Sequence, residues 1–203
     1  MINGRPQRRV VFLDRDGVIN RDSPAYIKSW AEFEFLPGSL RALANLTAHG
    51  FSVIIITNQS AVGRGLISAA GLERMHRRMC AAVAAHGGRV RDIFFCPHRP
   101  ANRCRCRKPK PGLILRARQI YGIELATAVM VGDSVKDIAC ARNAGCRYAL
   151  LVQTGNGRRT QRDLQGLNLS PDHVSSDLLQ AAEWIIRRFP AGRTALGTQA
   201  ASP

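Results

Sequence analysis

Residues 9–17 read Arg9-Val10-Val11-Phe12-Leu13-Asp14-Arg15-Asp16-Gly17. The run from Val10 to Leu13 is wholly apolar and rich in β-branched and aromatic residues, which predicts a strand that stops where two carboxylates arrive. Residues two apart on an extended chain point the same way, so Asp14 and Asp16 can face one site, and Gly17 lets the backbone turn away at once. Two carboxylates this close repel, which favours a retained proton or a divalent cation; Mg²⁺, a hard cation with oxygen ligands, is the natural counter-charge. A polar strand-to-turn junction has the same composition. What the other strands end in decides between the two.

Outward from this stretch, strands alternate with helices. Phe51–Thr57 is a nearly continuous apolar run, the pattern of a strand buried on both faces. Further strands are expected at Asp92–Phe95, Ala128–Gly132 and Tyr148–Val152, with an edge strand at His173-Val174. Helices are expected from Pro37-Gly38-Ser39 through Ala48, at Ser68–His86, Gly112–Tyr121, Val135–Ala144 and Ser176–Arg188. Such alternation requires right-handed crossovers and a parallel sheet, hence a doubly wound α/β fold. Ligands of such sheets bind at the carboxyl ends of the strands. A single domain is expected over residues 1–189. From Pro190 to Pro203 the Ala/Gly/Thr/Ser-rich segment has no periodicity and reads as a disordered tail.

The chain has 203 residues, 45% hydrophobic and 22% charged, a globular composition with enough length for a real core. No apolar run approaches the roughly 20 residues of a membrane span. The Val10–Leu13 stretch is too short for a secretory signal, so a cytoplasmic protein with no membrane partner is expected. The net charge of +16 points to an anionic partner: a phosphorylated metabolite, a nucleic acid or an acidic surface. Of six cysteines, Cys96, Cys104 and Cys106 crowd into one loop beside His98, which reads as metal binding rather than disulfides. Cys80, Cys140 and Cys146 lie in or beside helices as ordinary small apolar residues.

The other strand ends carry polar groups as well. Thr57-Asn58-Gln59-Ser60 offers hydroxyls and amides that can bond phosphate oxygens, or make a solvated turn. Cys106-Arg107-Lys108-Pro109 offers a point charge and a fork for phosphoryl oxygens. Gly132-Asp133-Ser134 ends the fourth strand, where Asp133 can complete an oxygen cage and either it or Ser134 can cap the next helix; Asp137 can brace the loop or favour the first helical turn. This combination favours a catalytic site.

The set Asp14-x-Asp16-Gly17, Thr57, Lys108 and Gly132-Asp133 resembles the haloacid dehalogenase (HAD) superfamily of phosphotransferases. Cys96-Pro97-His98 followed by Cys104-Arg105-Cys106-Arg107-Lys108-Pro109 looks like the zinc loop of its D-glycero-D-manno-heptose 1,7-bisphosphate 7-phosphatase family and of the related histidinol-phosphatases. Cys96, His98, Cys104 and Cys106 make a closed Cys₃His set, so Zn²⁺ is expected to be structural. The resemblance covers Arg9 to about Val152.

It implies Asp14 as nucleophile, Asp16 as general acid and base, and Thr57 and Lys108 as phosphoryl ligands. By the same resemblance Mg²⁺ is held by Asp14, the Asp16 carbonyl and Asp133. Asp22, Asn58, Gln59, Ser60, Arg107 and Ser134 are then expected to contact substrate. The implied reaction is hydrolysis of the 7-phosphate, in the making of nucleotide-activated heptose for lipopolysaccharide core or another surface glycan. The short stretch between Thr57 and Lys108 leaves no room for a large cap domain, so the site should be open.

Two features depart from the family. Only five residues separate His98 from Cys104, and Ser134 stands where many heptose enzymes carry a lysine. Three other readings stay open: a histidinol-phosphatase; a polynucleotide 3′-phosphatase, from Thr57-Asn58-Gln59 followed by Gly63-Arg64-Gly65; and a non-catalytic, zinc-bearing anion-binding protein. The favoured partner is a small phosphorylated sugar bound by a monomer, without nucleic acid.

Overall fold

The computed structural model describes residues 9–189; the expected tail from Pro190 lies outside the described residues, as do residues 1–8. Six parallel strands form one sheet: β1 (Val10–Leu13), β2 (Ser52–Asn58), β3 (Val90–Cys96), β4 (Val129–Gly132), β5 (Tyr148–Val152) and β6 (His173–Ser175). Their order is β3-β2-β1-β4-β5-β6. The chain moves outward from β1 to β3 and then returns to place β4 on the other side of β1. The switch point therefore lies between β1 and β4, with Asp14 at its carboxyl end, where its N–H donates to the Val131 carbonyl at 3.0 Å.

Alternation along β1 builds two cores. Val11 and Leu13 face one layer, with Leu43 and Leu46 of α1 (Ser39–Ala48), Leu72 and Met79 of α3 (Ala69–Ala85), and Ala181 and Ile185 of α7 (Leu178–Arg188). Val10 and Phe12 face the other, with Leu113 and Ile114 of α4 (Gly112–Tyr121) and Ile138 and Ala141 of α5 (Val135–Ala144). The doubly wound expectation holds. Cys140 and Cys146 are buried, Cys80 is half-buried, and all three are free thiols.

Two helices carry no signal in the apolar pattern. The short α2 (Ser60–Gly63) follows β2 directly, and α6 (Gly157–Leu164) buries only Gly157, Thr160 and Leu164 in an otherwise charged sequence. β3 is also longer than its apolar core, because Val90–Asp92 pairs with β2 while only half buried. Among the described residues no helix is long and apolar enough to cross a membrane.

Candidate active site

The site grows from the ends of β1, β2 and β4 and the loop before α4. At β1 the chain must turn away sharply, and Gly17 does so with φ +81°. A Cβ at Gly17 would stand 2.2 Å from Asp133 Oδ2, and one at Gly155 equally close to the same oxygen. Asp133 is thus seated between two glycines, where no side chain fits. Asn156 holds it there, donating its backbone N–H (2.7 Å) and its Nδ2–H (3.2 Å) to Oδ2, and the same amide reaches Asp22 Oδ2 at 3.2 Å.

Lys108 Nζ is buried and lies 2.8 Å from Asp14 Oδ2 and 2.6 Å from Asp137 Oδ1. Asp137 accepts from the Ser134 N–H (3.0 Å) and Oγ–H (2.6 Å), so it caps α5 and braces Lys108 at once. Carboxylate oxygens of Asp14, Asp133 and Asp137 lie within 4.8 Å of one another. Three carboxylates around one ammonium leave two formal negative charges.

The electrostatics follow from that crowding. Burial, then Asp137 and Asp133, push the Asp14 carboxyl well above its ordinary value against the pull of Lys108. Burial and Asp137 push Asp133 up to about 7. Burial alone would lower Lys108, but Asp137 and Asp14 outweigh it and keep the ammonium charged. An oxygen-lined pocket whose acids resist ionising together fits a hard divalent cation, so the residues present fit Mg²⁺.

Asp16 sits apart from this cluster. Its carboxylate accepts from Arg15 Nε (3.0 Å) and Nη2 (2.7 and 3.0 Å), Asn20 Nδ2 (2.9 Å) and Gln59 Nε2 (2.6 Å). Burial would raise it, yet Arg15, Asn20 and Gln59 together hold it below the usual carboxylate range.

Asp14, Asp16, Thr57, Lys108 and Asp133 line one cleft of about 370 Å³, and so do Asp22, Asn58, Gln59, Ser60, Arg107 and Ser134. Several of the expected substrate contacts are already engaged with protein. The Asn58 amide clamps the Lys108 backbone from both sides, accepting from its N–H (3.1 Å) and donating to its carbonyl (3.3 Å). Gln59 donates to Thr57 Oγ1 at 2.9 Å, which leaves the Thr57 hydroxyl proton to donate elsewhere. Arg107 reaches the His98 carbonyl at 3.2 Å from the rim.

Tyr26, Lys136 and Asn156 also line the cleft without having been singled out, as does Arg64 of the Gly63-Arg64-Gly65 stretch. For Asn156 a signal existed: it follows β5, another carboxyl end of the sheet.

The Cys₃His loop closes on itself. Cys106 Sγ is 3.3 Å from Cys96 Sγ and 3.5 Å from Cys104 Sγ, and Cys96 and Cys104 are 3.5 Å apart. His98 Nδ1 lies 3.3 Å from Cys106 and 3.6 Å from Cys96. Zn–S bonds of about 2.3 Å and Zn–N of about 2.0 Å in a tetrahedron require edges of about 3.5–3.8 Å. The cluster fits a closed zinc site.

A switch-point carboxylate facing a buried lysine and a second acid, with a hydroxyl and amides beside them, defines a phosphoric monoester hydrolase of the HAD-like class. The HAD-hydrolase-like family model matches residues 105–181. A D-glycero-beta-D-manno-heptose-1,7-bisphosphate 7-phosphatase from Bordetella bronchiseptica is 45% identical over 179 residues, covering 88% of this chain and 98% of the relative. Its counterpart from Pseudomonas aeruginosa is 46% identical over 153 residues, covering 75% and 85%. The crystal structure of the D,D-heptose 1,7-bisphosphate phosphatase from B. bronchiseptica, complexed with magnesium and phosphate, superposes with a TM-score of 0.84 at 44% identity, covering 89% of this chain and 99% of that one. The chain belongs to the D-glycero-D-manno-heptose-1,7-bisphosphate 7-phosphatase family of HAD-like hydrolases.

Proposed function

We propose that this chain removes the 7-phosphate of D-glycero-D-manno-heptose 1,7-bisphosphate, with Mg²⁺, through an aspartyl-phosphate on Asp14. The product would feed the synthesis of nucleotide-activated heptose for lipopolysaccharide core or another surface glycan. One observation carries the chemistry: Asp14 stands at the switch point against Lys108, across from Asp133, in an open cleft. Beyond that centre Arg64, Arg107 and Lys136 line the rim, positive charge suited to a second phosphate.

Asp14, the Asp16 backbone carbonyl and Asp133 would hold Mg²⁺, which when bound screens the repulsion between the Asp14 carboxylate and the phosphoryl group. Asp14 attacks phosphorus and the bond to the sugar oxygen breaks. Lys108 and the Thr57 hydroxyl hold the phosphoryl oxygens as charge moves onto them. Asp16 gives a proton to the departing sugar oxygen, then takes one from the water that hydrolyses the acyl phosphate. Its five hydrogen bonds favour the base form. A phosphoryl dianion entering the cleft adds negative charge beside it, which raises the carboxyl and couples protonation to binding.

Cys96, His98, Cys104 and Cys106 would hold Zn²⁺ as a structural clamp on the loop that presents Arg107 and Lys108. The test is ³¹P NMR during turnover of the bisphosphate with Mg²⁺. Loss of the 7-phosphate signal with the anomeric phosphate intact is expected; loss of the anomeric phosphate, or no turnover, would overturn the assignment.

A further inference from the structure

Arg15 is the largest side chain among the fully buried residues, and its guanidinium is shared among three partners. Nε and Nη2 fork onto the Asp16 carboxylate. Nη1 points the other way, to His76 Nε2 at 3.1 Å and Met75 Sδ at 3.9 Å, with the Phe33 ring beneath the guanidinium at 5.9 Å. His76 is a buried residue of α3, set edge-on to Phe95 at 6.0 Å.

An imidazole beside an arginine N–H has one useful form. Its Nε2 must carry a lone pair toward Nη1, which places any ring proton on Nδ1. Burial, reinforced by the Arg15 cation, pushes His76 down to about 3, so the ring stays neutral throughout the working range of an enzyme. The histidine is therefore an acceptor built into the core behind the acid–base residue.

We propose that His76 is a positioning residue for the phosphatase reaction: accepting from Arg15 Nη1, it aims the guanidinium fork that orients the Asp16 carboxylate. This rests on Asp16 being the acid and base. Without the acceptor, Nη1 is a buried donor with only a thioether for company, and the guanidinium gains by rotating toward another oxygen. Asp16 keeps its bonds from Asn20 and Gln59, so the fold survives while the carboxylate, losing its guanidinium fork, shifts within those two bonds. A misplacement of about 1 Å at a reacting group costs on the order of 10²-fold in rate.

The experiment measures kcat and KM for phosphate release from the bisphosphate at saturating Mg²⁺, with thermal melts, for wild type, His76→Leu, His76→Gln and Asp16→Asn. His76→Leu is expected to lower kcat by about 10–100-fold with KM within about twofold of wild type. His76→Gln, whose amide oxygen can reach the Nε2 position, is expected to restore kcat to within about threefold. Wild-type kcat in His76→Leu, or equal losses in the leucine and glutamine variants, would overturn the proposal, the second result meaning that packing alone matters. If the leucine variant does not fold, His76→Met takes its place in the same comparison. An inactive Asp16→Asn beside a fully active His76→Leu rejects the role of His76 alone; a fully active Asp16→Asn rejects the acid–base assignment and this inference with it.

Discussion

Asp133 shows how much of the site depends on what is absent. Gly17 and Gly155 each leave a space that a Cβ would fill at 2.2 Å from the Asp133 carboxylate, and Gly17 also has a φ that a side chain strains. Gly17→Ala is expected to displace Asp133, weaken Mg²⁺ and lower activity by at least about 10²-fold; Mg²⁺ titrations of phosphate release that match wild type would refute this. The raised Asp14 and Asp133 carboxyls also set a pH dependence. Below about 7 Asp133 holds a proton that the cation must displace. The Mg²⁺ concentration for half-maximal activity is therefore expected to rise by up to about tenfold per pH unit below that point. A raised carboxyl stabilises the folded metal-free protein fully below its unfolded value of 3.8 and loses that contribution as pH rises through about 7, so Mg²⁺ should raise the melting temperature most at and above neutrality. Melting curves with and without Mg²⁺ at pH 5 and 8 check the sign. At this scale the sequence was legible where a reactive side chain ends a strand, as with Asp14 and Asp133, or closes the Cys₃His loop, as with Lys108. It was silent on partners: nothing in Asp14-Arg15-Asp16 distinguishes a solvated arginine from a fully buried one, and Asn58 and Gln59 looked equally free to meet a sugar.

Among the elements, the Cys₃His loop joins its thiol–imidazole cluster to the cleft. Its last residues, Arg107 and Lys108, line the site, while Asn58 at the end of β2 pins the Lys108 backbone. Packing against α2 fixes the other side, with the Gly63 N–H donating to the Pro97 carbonyl at 3.0 Å and Arg99 Nε to the Gly63 carbonyl at 2.7 Å. A loop this short has no core of its own, and a metal held by its Cys₃His cluster would clamp it. Cys104→Ser is expected to lose bound zinc, lower the melting temperature by several degrees and reduce kcat with the displaced lysine. Metal analysis of the purified variant beside its kinetics checks this, and full activity without zinc would reject a structural role. That Cys96, His98, Cys104 and Cys106 gather into one cluster was readable from residue type and spacing. Helix α6 was not, because its buried face is Gly157, Thr160 and Leu164, which leaves no apolar stripe, and its helical register is set by packing beside β5.

For the whole molecule, alternating strands and helices allowed the doubly wound sheet to be expected, and the order β3-β2-β1-β4-β5-β6 then places Asp14 and Asp133 on adjacent strands across the switch point. That neighbourhood could not be read from the chain, where the two residues are more than a hundred positions apart; it follows from the crossover that returns β4 to the free edge of β1. The same topology leaves the cleft open, with Arg64, Arg107 and Lys136 among the residues that line it. The most direct test is phosphate release with Mg²⁺ from heptose 1,7-bisphosphate, histidinol phosphate and a 3′-phosphorylated oligonucleotide, each with Asp14→Asn as the blank. Preference for the bisphosphate, abolished in the mutant, is the expected result. Release that persists in Asp14→Asn, or a preference for either other ester, would contradict it.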